Sequence, residues 1–488
     1  MAARELDGSA ILGAFDPLFA PKSIAVVGAS ATSVSAGNRF IRVLKASKYD
    51  GRIVPVHPTA REIEGLPAIS ELGSAVQTID YAYLTVPARQ AEEVLSNVRG
   101  TLRFAQVMAS GNIDAGHEWE QRLQDLARKG GFRLIGPNCM GTHSPRGRFT
   151  FVEDVAVELG HVGIACQSGG LGMDVLRRGQ NLGLRFSGLV TLGNSIDVQP
   201  SDLFEFYLND PCTKVIGLYI EDVKDGRRFQ TLARRNAGRK PVVILIGGLT
   251  SSGRKAAASH TGAMGGAAEA WHALARQTGL ILTRNLDEFL DSLQLCLWLV
   301  PSHAPEAAGI TLFGNGGGTS VLATDALDRA GFQLAQPSPK ALREFEEIQL
   351  PPGASLGNPI DIPASVLKEE SGRIARRILE INRSSTKPYA TIVHLNLSVI
   401  AGYRHVPNFL EDLMASIMAQ TETAGLQHEL LVLRSDGSAE VDGWRRKFRE
   451  IAGRRGMPTF DEIQPAIQAL SDFNRYERFL QRERLLTG

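Results

Sequence analysis

The chain has 488 residues, 43% of them hydrophobic and 22% charged, with Lys plus Arg at 53 against Asp plus Glu at 52. That length holds two to four domains at about 100–200 residues each, and the composition excludes overall disorder and fibrous repeats. A formal net charge of +1 supplies no global field for nucleic acid or membrane, although a local basic pocket stays open.

Cys139, Cys166, Cys212 and Cys296 are scattered without a CxxC pair, so a disulfide framework or structural zinc site is not expected. Met1 to Pro21 has no apolar signal region. The run near Leu293–Val300 is far short of the ~20 residues that span a bilayer. The expectation is a soluble, cytoplasmic protein.

In chain order, Ser23-Ile-Ala-Val-Val-Gly-Ala-Ser30 runs from a β-branched segment into a small-residue turn, with a helical pattern around Asn38–Ala46. Ile53–Val56, Tyr81–Val86, Phe104–Ala109 and Arg133–Ile135 read as further strands, separated by helical stretches such as Ala88–Val98 and Glu118–Arg128. Continuous apolar strands alternating with helices predict a parallel sheet covered on both faces. The pattern then restarts. Val162–Cys166, Ser187–Thr191, Val215–Ile220 and Val242–Ile246 are strands, with a helix over Leu171–Asn181. After a linker at Val300–Gly309 it restarts again at Ile310, with later strands at Ala390–Leu395 and Glu429–Leu433. The three units share a plan and no sequence period, so they are not a solenoid.

Three glycine-rich turns follow first strands. Val27-Gly-Ala-Ser30 lies where an open parallel sheet binds nucleotides, and helix-start amides there can face a phosphate. It is not a GxGxxG, because Gly37 comes late, and a purely structural turn accounts for it equally. No acidic residue closes the second strand; Val56-His-Pro58 stands there instead. Gln167-Ser-Gly-Gly170 offers a Ser cap and bare N–H groups to an anion, and an ordinary Ser N-cap has the same look. Asn315-Gly-Gly-Gly318 fits either an anion or a close helix–strand crossing.

Ser259-His-Thr-Gly-Ala-Met-Gly-Gly266 sets one histidine among small residues, after Ser251-Ser-Gly-Arg-Lys255. Such surroundings give the access and freedom that a nucleophilic histidine needs. No second ligand stands at metal spacing, so no metal site is expected. Glu221 ends the strand Val215–Ile220, where a carboxylate can accept the other ring N–H of His260; a solvated strand-end Glu is the plainer alternative.

Several stretches together resemble the NDP-forming acyl-CoA synthetases, the superfamily of ADP-forming acetyl-CoA synthetase and succinyl-CoA synthetase. They are Phe15 to Ser30, Gly136-Pro-Asn-Cys-Met-Gly141, Gln167-Ser-Gly-Gly-Leu-Gly172, Leu218 to Arg227, Ala258-Ser-His-Thr-Gly-Ala263 and Gly357-Asn-Pro-Ile-Asp361. The motifs occur in the family's order over nearly the whole chain and leave the acyl group open. The resemblance implies an α/β fold with a CoA-binding Rossmann-like domain at 1–148 and two flavodoxin-like ligase domains at 149–302 and 308–488. It implies that His260 is the phosphorylated histidine and Glu221 its partner. Ser168, Gly169 and Gly170 would hold phosphate. Gly28, Ala29, Ser30, Val86, Pro87, Ser110, Gly111 and Asn138 would line the CoA groove.

Two departures stand out. His57-Pro58 replaces the family's frequent Asn-Pro after the second strand and would alter the nucleotide end of the pocket. Ile246 stands where a lysine often ends the strand before the histidine loop. No segment resembles an ATP-grasp domain, so the expectation is an alpha-type subunit of a hetero-oligomer. ATP or ADP and Mg²⁺ would then sit on a separate ATP-grasp beta-type partner. Two rivals are an ATP-independent acyl or carbamoyl transferase and a non-catalytic CoA-sensing module. A dehydrogenase lacks any dinucleotide fingerprint.

Overall fold

Continuous apolar runs become strands buried on both faces, as parallel sheets require. The computed structural model describes residues 8–110, 116–255, 268–302, 309–350, 353–367, 372–402, 409–418 and 428–487. Helix α1 (Gly8–Phe19) precedes a first sheet of β1 (Ser23–Val27), β2 (Arg52–Val56), β3 (Ile79–Leu84), β4 (Leu102–Val107) and β5 (Arg133–Ile135). The order is β2-β1-β3-β4-β5, all parallel. Helices α2 (Ala36–Ala46), α3 (Ala88–Ser96) and α4 (Gly116–Gly130) are its crossovers. Strand β3 ends two residues earlier than the sequence predicts, because Pro87 caps the start of α3 and pulls Val86 into the turn.

The second sheet contains β6 (Thr142–His143), β7 (Val162–Cys166), β8 (Phe186–Thr191), β9 (Val215–Ile220), β10 (Val242–Ile246) and β11 (Ile281–Thr283). Its order is β11-β10-β9-β7-β8-β6, with only the short edge strand β6 antiparallel. Helices α5 (Gly169–Asn181), α6 (Pro200–Asn209), α7 (Gly226–Asn236) and α8 (Ala268–Thr278) accompany it. One apolar core runs through both sheets. Helix α1 supplies the joint. Its Phe15 ring lies 5.5 Å from Phe104 and 5.7 Å from Phe206 of α6, and Phe19 stacks on Phe206 at 4.3 Å. The sequence pattern misses α1, since Gly13 and Pro17 break up its apolar periodicity.

These two sheets form one compact unit, Met1–Gln180 with Leu184–Leu286; the second unit is Asp287–Gly488 with Asn181–Gly183. Helix α9 (Leu286–Trp298), placed by the sequence ahead of the linker, packs with the second unit. The buried Gln294 amide donates to Thr459 O (3.2 Å) and accepts from Thr459 N (2.6 Å). The third sheet comprises β12 (Gly309–Gly314), β13 (Gln333–Leu334), β14 (Ile360–Asp361), β15 (Ala390–Asn396), β16 (His428–Arg434) and β17 (Thr459–Phe460). It runs β13-β12-β15-β16-β17, with β14 beside the end of β12. Helix α10 (Gly317–Arg329) follows the glycine turn. The long helix Ile463–Thr487 is tied to the opposite edge through the fully buried Glu477, which accepts from the Tyr389 hydroxyl and lies 2.8 Å from His428 Nε2.

Setting aside β6 and β14, each sheet has its second strand on one side of the first and its third on the other. Each therefore has a switch point between first and third strands, where loops diverge and a crevice opens at the carboxyl edge. No helix among the described residues is long and apolar enough to cross a membrane.

Candidate functional site

At the first switch point, β1 enters Gly28-Ala29-Ser30. Gly28 has φ +99, and a Cβ there would lie 2.5 Å from Thr85 Oγ1 after β3. The late Gly37 has a packing role: a Cβ on it would lie 2.5 Å from the Ala29 nitrogen, so α2 can pack on the turn only with glycine there. Ser35 caps α2, its Oγ accepting from Asn38 N and donating to Gly28 O (2.7 Å). The buried Asn38 amide then braces the loop. It donates to Ser30 O (2.9 Å) and Glu64 Oε1 (2.9 Å), and accepts from Ser30 N (2.8 Å). Glu64 is held in turn by Arg42, which with Asn38 keeps its carboxyl below the usual range.

A cleft of ≈800 Å³ opens beside this turn, lined by Val86, Pro87, Ser110, Met108, Trp119 and Arg122 among others. Three of the sequence-predicted CoA residues, Val86, Pro87 and Ser110, thus share one cleft, and Gly28 abuts its Thr85 wall. Gly111 lies outside the described residues. His57 and Pro58 sit at the end of β2 and do not line the cleft. The His57 ring closes its own turn, with Nδ1 accepting from Thr59 N (3.3 Å) and Ala60 N (3.0 Å). Asn138 faces the second sheet: its Nδ2 donates to Asn194 Oδ1 at 3.3 Å, and Gly193 presses against its carbonyl.

At the second switch point the sequence underrated one residue. Gln167 is buried, and its Oε1 accepts from the backbone N–H groups of Glu221 (2.6 Å) and Asp222 (3.0 Å). Its Nε2 donates to Ser195 Oγ (3.1 Å) on the loop that meets Asn138. One side chain thus joins the turn after β7, the end of β9 and the loop after β8. The signal was available: a long amide directly before a Ser-Gly-Gly turn has a neighbouring strand end within reach.

Ser168 caps α5, its Oγ accepting from Leu171 N at 3.3 Å. Gly169 admits Met140, which a Cβ would strike, while Gly170 is exposed with open space around it. A helix start with bare amides suits an anion. Beside it, Glu221 is 8% exposed and accepts from the Tyr219 hydroxyl at 3.0 Å. Burial and the Glu221 charge raise the Tyr219 pKa well above its ordinary value, so the phenol stays a donor. Cys166 is no nucleophile: burial pushes its thiol up to about 12. Gly247, after β10, keeps space against Glu221, since a Cβ there would lie 3.1 Å from Glu221 Cγ. Strand β10 leads towards His260, which lies outside the described residues.

At the third switch point the glycine turn is held by an acid from β14. Gly314, just ahead of that turn, lets the buried His394 ring of the adjacent strand β15 approach. Gly316 N donates to Asp361 Oδ1 (2.9 Å), and Gly318 has open space. Within Gly357 to Asp361, Asn358 is a stitch: its Nδ2 donates to Ile310 O and Ala335 O, and its Oδ1 accepts from Leu312 N.

Comparison with known proteins agrees with this architecture. Residues 22–145 match the CoA binding domain family, and residues 159–296 the succinyl-CoA ligase like flavodoxin domain. The ADP-forming acetate–CoA ligase I of Archaeoglobus fulgidus is 31% identical over 96% of this chain, which spans 64% of that protein's length. The alpha subunit of the ADP-forming acetate–CoA ligase II of Pyrococcus furiosus is 31% identical over 75% of this chain and 79% of its own. The acetyl-coenzyme A synthetase 1 of Ca. Korarchaeum cryptofilum, solved with phosphate and ADP, superimposes with a TM-score of 0.80 at 25% identity, covering 96% of this chain and 99% of that one. With two family domains in sequence and a relative at this identity along most of its length, the chain belongs to the NDP-forming acyl-CoA synthetase superfamily.

Proposed function

We propose that this chain is the alpha-type subunit of an NDP-forming acid–CoA ligase, interconverting acyl-CoA, phosphate and NDP with carboxylate, CoA and NTP. In this reading 1–148 binds CoA, 149–302 carries the phosphate turn and the His260 loop, and 308–488 completes the ligase. The Gln167 bridge is the observation that supports it most directly, because it sets an anion-ready helix start beside a strand-end carboxylate.

CoA would lie in the cleft over Val86, Pro87 and Ser110, its thioester directed to the Asn138 side. Phosphate at Ser168–Gly170 attacks the acyl carbon. A C–O bond forms, the C–S bond breaks, and CoA leaves with the proton. His260 then attacks the phosphorus of the acyl phosphate; an N–P bond forms, the P–O bond breaks, and the carboxylate departs. Glu221 accepts the other ring N–H, holding the tautomer and offsetting charge on the imidazole. Helix-start amides stabilise the transferring group, so catalysis is mostly positioning and electrostatics. The nucleoside diphosphate and Mg²⁺ belong to an ATP-grasp partner, to which the His260 loop delivers the phosphoryl group.

The test is phosphate incorporation. The chain, a candidate ATP-grasp partner, labelled ATP and magnesium are expected to give an acid-labile, base-stable phosphohistidine in the wild type and none in His260→Ala. Label on both proteins, or on neither with CoA still bound, rejects the assignment.

A further inference from the structure

A second cavity, of ≈570 Å³, lies at the seam of the first two sheets, at the amino ends of β4 and β5. The CoA cleft opens at the carboxyl ends of β3 and β4, so the two do not coincide. Phe104, Ala127, Phe132 and Ile196 form its apolar wall, with Ala14 and Pro17 of α1 completing it. Three guanidinium groups stand around it.

Their electrostatic states differ. Arg133 is committed: its Nε lies 3.1 Å from both Asp197 oxygens and its Nη2 3.1 Å from Asp202 Oδ2. Arg128 has only Asp125, at 3.4 Å, with side chains 69% and 47% exposed. A pair so exposed contributes little and exchanges readily for a better partner. Arg103 is exposed and has no ionic partner among the described residues. The mouth therefore carries one unpaired guanidinium, Arg103, and one weakly paired, Arg128, over an apolar floor.

A bare inorganic anion would leave that floor uncovered, and a neutral hydrocarbon would leave the guanidinium groups unanswered. Both demands are met by a small organic acid, because Arg forks match a carboxylate and the wall takes the body. The volume lies in the ordinary range for small-molecule sites, about 300–1,000 Å³. We propose that the seam cavity is a second small-molecule site, taking an organic monocarboxylate with an apolar body, separate from the CoA cleft and from the Ser168–Glu221 edge.

The site adjoins the catalytic machinery through one loop. Ile196 and Asp197 face the cavity, while the neighbouring Ser195 accepts from Gln167. An acid bound at the seam would rest on the same loop that positions the Gln167 bridge.

The probe is 4-phenylbutyrate, titrated into the full chain by ligand-observed NMR beside its neutral analogue 4-phenylbutanol. One saturable site of order 1 mM or tighter is expected for a ligand of this size, binding the alcohol at least tenfold more weakly. Arg103→Glu with Arg128→Glu should weaken the acid at least tenfold and leave CoA affinity unchanged, and saturating CoA should not displace the acid. Ala14→Phe, on the exposed face of α1, blocks the cavity without touching charge and should abolish binding if the double variant does not fold. No saturable binding up to about 10 mM overturns the proposal. So does equal affinity for acid and alcohol, unchanged affinity in the variants, or displacement by CoA.

Discussion

The second and third sheets solve the same problem at their switch points and leave different chemistry behind. In each, an amide side chain after the first strand grips the backbone at the carboxyl end of the third. Gln167 accepts from Glu221 N at 2.6 Å, and Asn315 accepts from Asn396 N at 2.7 Å. The gripped residue is a carboxylate in one sheet and an amide in the other. Asn396 is occupied by its own backbone and neighbours, capping the turn Leu397–Ala401 and accepting from Ser398 Oγ. The nearby acid of the third sheet, Asp361, is likewise engaged by Gly316 N. Topology thus delivers a position to the sheet edge; the residue type decides whether that position carries a charge.

Three experiments sharpen or break this contrast. Glu221→Gln keeps the shape and removes the charge, and is expected to lower phosphohistidine formation by about 100-fold or more, as loss of a group stabilising a transferring charge does. Asn396→Asp should have an effect at least tenfold smaller by the same labelling assay, on that scale of about 10²–10³ per stabilising group. Equal losses would show that both edges take part alike.

A smaller effect is expected from removing the bridges. Gln167→Leu leaves two backbone N–H groups without their acceptor, and Asn315→Leu leaves one. At about 1–3 kcal/mol for each buried group left unpaired, the Gln167 variant should be the more destabilised. Hydrogen exchange should rise at Glu221 and Asp222 more than at Asn396. The reverse ranking would remove Gln167 from its central place.

The smallest effect concerns two buried histidines. His143 is fully buried with neither ring nitrogen bonded, and burial lowers its pKa from 6.5 to about 3. His394, lowered to about 4 by burial and the Arg434 charge, has Ser320 Oγ at 3.2 Å. In both the unfolded chain takes up a proton first, so stability is full above about 6.5 and is lost as pH falls, by up to about 1.4 kcal/mol per unit for each group. His143→Leu should raise neutral-pH stability by about 1–3 kcal/mol and flatten the acid slope of the first unit. His394→Leu should gain less, since it takes a partner from Ser320. Acid titration followed by hydrogen exchange separates the two units.

The strands were legible wherever both faces are buried: Val162–Cys166, Val215–Ile220 and Val242–Ile246 coincide with β7, β9 and β10. Apolar continuity carries that signal directly. Val86, Pro87 and Ser110 were legible as neighbours, because each follows a strand of one sheet and the switch-point rule converges such positions. The roles of Asn38, Gln167 and Asn358 were not legible. Each acts through hydrogen bonds to partners that only the folded chain brings near: Asn38 to Glu64, Gln167 to Glu221, Asn358 to Ile310. His57, expected to alter the nucleotide end of the pocket, accepts two backbone N–H groups of its own turn through Nδ1.

The aromatic joint made by α1 bears on how such proteins can be recombined. Phe19 is fully buried against a helix that lies some 190 positions downstream, so the first two sheets are not interchangeable cassettes. A chimera joined near residue 148 would bring a foreign α1 against Phe206 and Tyr207 and leave an ill-fitting plug in the shared core. Exchange of the CoA-binding half between relatives should succeed only when α1 and α6 travel together, which makes their contact a barrier to domain shuffling within this superfamily.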